Sequence, residues 1–311
     1  MGRRQASSHL GLDLGGTNIK WSVVARERAA LRALDRGQVP TPTNEDEDAV
    51  VAALATIGEA AVRSWPDISS VGIGVPGSYD PTAGTTRFLT NVPGNWDGKP
   101  VAALVAEALR VPCFLINDAR AFGLAELRMG AGRGSSSMVG ITLGTGVGGV
   151  IALDGRVYQG HDGTAGELGH QTIEPDGPDC TCGGKGCLEV FVRADAIEAA
   201  SGAPSVEEAV ERARAGDARA HHAITDAAGY LGIGIANMVS VFTPDRVVLG
   251  GGISAAFDLL IGPIRAELTR RVHLTSLDDV DIVRADLGVW AGTIGAAIHG
   301  AESAVLARTS A

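Results

Sequence analysis

A chain of 311 residues, 45% hydrophobic and 20% charged, is long enough for two lobes with their own cores and too apolar to be disordered. Its net charge of −10, with no Lys/Arg tract, excludes general nucleic-acid binding, which needs a basic footprint. The opening MGRRQASSHL lacks the apolar core of a signal peptide, Ala6 breaks the myristoylation pattern, and no uninterrupted 18-residue apolar run marks a membrane span. A cytoplasmic protein with no membrane or nucleic-acid partner is expected.

Residues 9–14 read as an apolar strand that runs into a Gly15-Gly16 turn, and residues 19–25 return as its hairpin partner. Residues 40–48, PTPTNEDED, form a loop with an acidic helix start, and 49–64 carry helical spacing. A strand at 71–75 enters Pro76-Gly77, and residues 78–99 read as loop, with Asn91, Pro93, Gly94, Asn95 and Gly98. A short helix at 101–109 follows, then a strand at 113–116 ending at Asn117-Asp118, then a helix at 119–129. Residues 138–143 form a strand that enters a glycine turn over 144–149, with 150–153 as its partner. Later come helices at 193–202, 205–215 and 217–241, and a strand at 247–249 ending in Gly250-Gly251-Gly252. A helix at 254–271, a strand at 282–285 and a closing helix at 293–306 complete the chain. Both halves open on strand, glycine turn, strand: GLDLGGTNIKWSVV and VGITLGTGVGGVIAL. This internal repeat implies a duplicated α/β fold with a cleft between its halves.

The densest chemistry lies in residues 163–189, GTAGELGHQTIEPDGPDCTCGGKGCLE. Cys180, Cys182 and Cys187 fall within eight positions, ten residues after His170. Three thiolates and an imidazole make a complete tetrahedral set for structural zinc, with no open position for a catalytic water. A disulfide pair plus a spare thiol is the alternative, and it suits an oxidising compartment. Cys113, alone in VPCFLIND, reads as a buried thiol on a strand. Glu167, His170 and Glu189 combine this metal bracing with groups that accept sugar hydroxyls. Asn91 and Asn117 are amides suited to the same task, turn formation being the alternative for Asn91.

The two glycine turns allow backbone N–H groups to approach a polyphosphate. Gly15, Gly16 and Gly146 supply the close approach, and Thr17, Asn18 and Thr145 add donors. Lys20 adds positive charge or is a solvated strand residue. Ordinary hairpin turns are the alternative for both, but no P-loop motif is present. Gly251, in the third glycine run, could contact a nucleoside. Asp118 ends an apolar strand before a helix, which suits a general base, an N-cap, or both. Asp13 also ends a strand, and suits a role in orienting Mg²⁺ through water.

Taken together, these stretches resemble the ROK family (repressor, open reading frame, kinase) of sugar kinases. The matching segments are DLGGTN at 13–18, GVPG at 74–77, IND at 116–118, LGTGVGG at 143–149, and ELGH with CTCGGKGCLE at 167–189. The likeness spans nearly the whole chain, and the cysteine stretch is its most specific part. It implies the two-lobed actin-like/hexokinase ATPase fold, an α/β architecture of duplicated ribonuclease-H-like domains. The smaller lobe is expected over 1–118 plus about 294–311, and the larger over 119–293 with the zinc loop. It further implies Asp118 as the base, and Asn91, Asn117, Glu167, His170 and Glu189 as sugar ligands. His170, Cys180, Cys182 and Cys187 would hold zinc. The implied reaction is transfer of the γ-phosphoryl group of ATP, with Mg²⁺, to the 6-hydroxyl of a hexose, glucose first. N-acetylglucosamine, N-acetylmannosamine, mannose, fructose or allose are alternative acceptors, and polyphosphate an alternative donor. Asn18 stands where many family glucokinases carry lysine, a departure that bears on the donor. A repressor of the same family would need an N-terminal helix-turn-helix, and a first strand near residue 9 leaves no room for one. A homo-oligomer, dimer or tetramer, is expected.

Overall fold

The computed structural model describes residues 7–27 and 30–309. Residues 1–6, on which most of the leader and lipidation reading rests, lie outside the described residues. The described chain forms two compact units. One holds the residues up to Met129, the segment Gln159–Ala165 and the residues from Val289 on. The other is Gly130–Tyr158 with Gly166–Gly288.

In the first unit, β1 (Ser8–Leu14) lies at the centre of a five-stranded sheet. On one side it pairs antiparallel with β2 (Asn18–Glu27), which pairs antiparallel with β3 (Ala30–Pro40). On the other it pairs parallel with β4 (Ile68–Val75), which pairs parallel with β7 (Cys113–Asn117). β4 is almost continuously buried, as expected of a parallel strand covered on both faces. The helices on this sheet are α1 (Glu47–Ser64), α2 (Val101–Leu109), α3 (Asp118–Met129) and α9 (Ala291–Thr309). Asp46 starts α1 by accepting from the Ala49 N–H at 3.0 Å, and Val50, Val51, Leu54 and Ala61 form its buried face. α9 lies backbone-to-backbone on the sheet. A Cβ on Gly72 would stand 1.7 Å from the Ala296 carbonyl oxygen, so only glycine fits there.

Two parts of the first unit differ from the sequence expectation. β3 has no buried residue and carries Arg32, Asp35 and Arg36, so its pattern does not register as a strand. It is an edge strand, blunted by charge. The segment expected as loop over 78–99 contains a hairpin, β5 (Gly77–Asp80) with β6 (Thr85–Leu89). Buried Tyr79 and Thr86 anchor it, with the Thr86 hydroxyl donating to the Trp96 carbonyl at 2.6 Å.

The second unit repeats the same sheet. β8 (Met138–Leu143) pairs antiparallel with β9 (Val147–Leu153), which pairs with β10 (Arg156–Val157). On its other side it pairs parallel with β11 (Arg246–Gly250), and β11 with β12 (Asp281–Arg284). Strand order and direction match the first unit throughout, so the duplication expected from the glycine turns is present. β9 begins at Val147, paired with Leu143, so Gly148 and Gly149 are strand residues. The turn is 144–146, half the expected length.

The helices of this unit are α4 (Glu189–Val192), α5 (Ala194–Ser201), α6 (Val206–Arg214), α7 (Ala218–Phe242) and α8 (Phe257–Arg271). α7 is long and apolar enough, by composition, to cross a membrane. Its apolar face, including Ile224, Leu231, Ile235 and Val239, is instead part of this unit's core, beside Leu188, Leu249 and Leu260.

Candidate functional site

The first glycine turn is closed by hydrogen bonds from both sides. The Gly15 N–H donates to the Asn18 carbonyl at 3.1 Å. Buried Thr41, just past β3, donates its hydroxyl to the Gly15 carbonyl at 2.7 Å and its N–H to the Thr17 carbonyl at 2.9 Å. Nothing in the sequence marks Thr41, because its partners lie more than twenty residues away. Thr17 is exposed at the tip, and Asn18 is half-buried at the start of β2. A Cβ on Gly16 would lie 2.5 Å from the Asn91 carbonyl oxygen, so Asn91 sits against this turn, in left-handed backbone at φ 59°.

Asp13 and Lys20 are directly paired across β1 and β2. The Asp13 carboxylate is packed against Gly74 and Gly292, where added Cβ atoms would stand 3.2 and 2.6 Å from its oxygens. Burial pushes its carboxyl up to about 6, and the Lys20 charge pulls it partly back. A folded-state value above the unfolded one means that the ionised carboxylate destabilises the fold. That cost is absent below about pH 4, grows as pH rises towards 6 and is complete above it. Asp13→Asn should therefore raise the Tm at pH 7.5, by a stabilisation on the order of 2 kcal/mol. The gain should vanish at pH 4. Thermal melts of both proteins at the two pH values check this; a Tm at pH 7.5 no higher than wild type would refute it.

At the same end of the parallel strands, two places along at the sheet edge, β7 delivers Asn117 and Asp118. Buried Asn117 donates its amide to the Gly77 carbonyl at 3.1 Å, and its Oδ1 accepts from the Arg120 N–H at 3.2 Å. Three residues ahead of its donor, Asn117 is the N-cap of α3. The cap alternative raised for Asp118 thus falls to its neighbour Asn117. Asp118 is the first helical residue, half-buried, with Oδ1 accepting from the Ala119 N–H at 2.8 Å.

The second turn is built in the same manner within its own unit. The Gly144 N–H donates to the Gly146 carbonyl at 3.0 Å, and the Ala194 N–H at the start of α5 donates to the Gly144 carbonyl at 2.9 Å. Glu189, the first residue of α4, accepts the Val147 N–H on Oε2 at 2.8 Å. A Cβ on Gly146 would stand 2.7 Å from that same oxygen. Glu189 thus braces the glycine turn, a role its sequence position does not announce. Gly251, at φ 81°, lies with its Cα against the Leu143 carbonyl at the root of the turn. Thr145 is exposed at the tip.

The cysteine stretch folds into a small knuckle within the same unit as this turn. His170 ends the short 3-10 turn Leu168–His170, which follows the exposed Glu167. Isolated bridges Thr172 with Cys187 and Asp179 with Lys185 close the loop. The ligand atoms of His170, Cys180, Cys182 and Cys187 all lie within 4.8 Å of one another. His170 Nδ1 is 3.7 Å from Cys180 Sγ, and Cys182 Sγ is 3.6 Å from Cys187 Sγ. With Zn–S bonds of about 2.3 Å, a tetrahedron has edges of about 3.8 Å, so the donor set fits zinc. All four cysteines are free, which removes the disulfide alternative. Burial pushes the Cys187 thiol up to about 12, and the neighbouring cysteines add to it. Because Nδ1 faces the sulfurs, Nε2 of His170 is the nitrogen that remains for a hydroxyl.

Comparison with known proteins covers nearly the whole chain. The model of the ROK family matches residues 9–301. A glucokinase of Thermotoga maritima is 34% identical over 307 residues, 93% of this chain and 95% of its own. The crystal structure of a ROK hexokinase from Thermus thermophilus superposes with TM-score 0.82 at 37% identity, covering 96% of this chain and 99% of that one. A ROK glucokinase from Streptomyces griseus, in complex with glucose and AMPPNP, superposes with TM-score 0.80 at 30% identity, covering 96% and 100%.

Proposed function

As this chain belongs to the ROK family, with the two-lobed actin-like/hexokinase fold, we propose that it is an ATP-dependent hexose kinase. It transfers the γ-phosphoryl group of ATP to the 6-hydroxyl of glucose. The observation that carries this reading is the single segment 167–189, in which one metal-type cluster is bracketed by two carboxylates. One of them, Glu189, also holds the second glycine turn.

Each residue then has a task. Glu167, Glu189, His170 Nε2, Asn91 and Asn117 fix the sugar by its hydroxyls. Asp118 accepts the proton of the 6-hydroxyl as its oxygen attacks the γ-phosphorus and ADP departs. The N–H groups of the two turns, with Thr17, Asn18 and Thr145, donate to phosphate oxygens, and Lys20 adds charge. Gly251 leaves room for the nucleoside. Positioning and electrostatics supply most of the rate in phosphoryl transfer, so rigid turns matter more than covalent chemistry. Asp13, where desolvation outweighs the pull of Lys20, would hold Mg²⁺ through water; when bound, the ion would neutralise the phosphates. His170, Cys180, Cys182 and Cys187 would hold structural Zn²⁺, which fixes the loop that carries both carboxylates.

A coupled ADP-release assay over a hexose panel tests the reading. It should include N-acetylglucosamine, N-acetylmannosamine, mannose and fructose, with polyphosphate as a second donor followed by sugar-phosphate detection. Glucose with ATP is expected to give the highest kcat/KM. Absence of turnover with every hexose would overturn the kinase reading, and a better acceptor or donor would replace glucose or ATP.

A further inference from the structure

Between β10 and the 3-10 turn at Leu168–His170, the chain leaves one unit, joins the other as Gln159–Ala165, and goes back. This strap has no regular secondary structure and is closed on itself. The Ala165 N–H donates to the Gln159 carbonyl at 3.2 Å, and Asp162 Oδ1 accepts from the Thr164 N–H at 3.1 Å and hydroxyl at 2.6 Å. Its Gly163 lies against Pro81, just past β5. Its other attachment is polar: Arg120 Nε donates to the Ala165 carbonyl at 2.9 Å.

Arg120 is 2% exposed. A guanidinium is costly to bury, so a buried one marks a place where its donors are needed. Its backbone is fixed by the Asn117 cap, three residues past the end of β7. Its charge is felt by Tyr79, whose hydroxyl is pushed up by burial and pulled partly back by the guanidinium. The carbonyl it holds stands two residues before Glu167, and two residues span at most about 7 Å. Where Ala165 is pinned, the backbone of Glu167 is confined to that reach.

We propose that Arg120 is a positioning residue for hexose binding: it anchors the strap at the Ala165 carbonyl and thereby sets the carboxylate of Glu167. This rests on the reading of Glu167 as a sugar ligand. The effect of Arg120 is on acceptor affinity, not on the nucleotide.

The test compares the full-length wild type with Arg120→Met, which keeps the buried stem and removes the donors, and Arg120→Lys, which keeps the charge without the planar fork. A hydrogen bond from a charged donor is worth enough to change affinity by roughly tenfold or more. The glucose KM of the Met variant should rise by at least that factor, with the ATP KM within about twofold of wild type. Arg120→Lys should give an intermediate rise. Hydrogen exchange should accelerate in the peptide spanning 159–167 and stay unchanged in β1 and β4. A merely structural role would lower the Tm while leaving both KM values in place. Unchanged strap protection together with an unchanged glucose KM overturns the proposal; should Arg120→Met fail to fold, the same two readouts on Arg120→Lys decide. Failure of the kinase reading shows in the wild type, as no turnover with any hexose. The exchange measurement then still judges the anchor.

Discussion

Asp118→Asn is expected to lower kcat by roughly 10²–10⁴-fold, the range of general-base assistance. The fold should survive, because the helix start does not depend on this carboxylate: Asn117 Oδ1 caps α3 through the Arg120 N–H. The amide oxygen of the variant can still accept from the Ala119 N–H, as Oδ1 does in the wild type at 2.8 Å. What it cannot do is take up the proton released by the attacking hydroxyl. Nucleotide affinity should be nearly unchanged, since the two glycine turns are built from other residues. Glucose KM should rise only modestly, because one hydrogen bond from the hydroxyl can still be accepted. Steady-state kinetics with a matched thermal melt separate the two roles. A variant that keeps more than about a tenth of wild-type kcat would show that the base lies elsewhere, and Glu167 would be examined next.

Cys182→Ser is expected to remove the metal and most of the activity together. The wild type should carry about one zinc per chain, as four protein donors prescribe. Cys182 is exposed and contributes little to packing, so the loss should come through ligation and not through a cavity. Without the ion, the knuckle has a small apolar support, Cys180, Cys187 and Val190 with Phe191, and loop closure is correspondingly weak. Glu189 leads directly out of that knuckle into α4 and holds the Val147 N–H, so disorder there reaches the second glycine turn as well. Both KM values should therefore rise, unlike the acceptor-selective effect at Arg120. Metal analysis and kinetics on one preparation decide: a wild type that is zinc-free and fully active would sink the idea.

What could be read from the sequence alone was whatever is local in the chain. The proposed zinc donors lie within eighteen positions, and the glycine turns interrupt apolar strands, so both stand out. The duplication could be read for the same reason, from two strand–turn–strand runs. Contacts across long separations could not. Thr41 reaches the first turn from beyond β3, Arg120 reaches a carbonyl 45 residues away, and Glu189 reaches Val147 over 42. β3 escaped because an exposed edge strand has no apolar alternation to see. For Asp118 the sequence leaves base and N-cap both open, because either residue of the Asn117-Asp118 pair has cap chemistry, and the choice depends on whose side-chain oxygen meets the Arg120 N–H.

The glycine contact between β4 and α9 has a consequence for synthesis. β1 and β4 are made early, yet the helix that covers them, with Thr293 and Ala296 against Gly11 and Gly72, follows every other element in the chain. By the time α9 leaves the ribosome, all the strands and helices of the second unit have already been translated. That unit needs nothing later than residue 288 for its own sheet. Nascent chains should therefore gain structure in the reverse of their reading order, with the second sheet closing while the first still exposes one face. Where α9 will lie, the exposed strip carries Gly11 and Gly72 instead of bulky side chains. It offers a chaperone or a neighbouring nascent chain little apolar surface to grip during the wait.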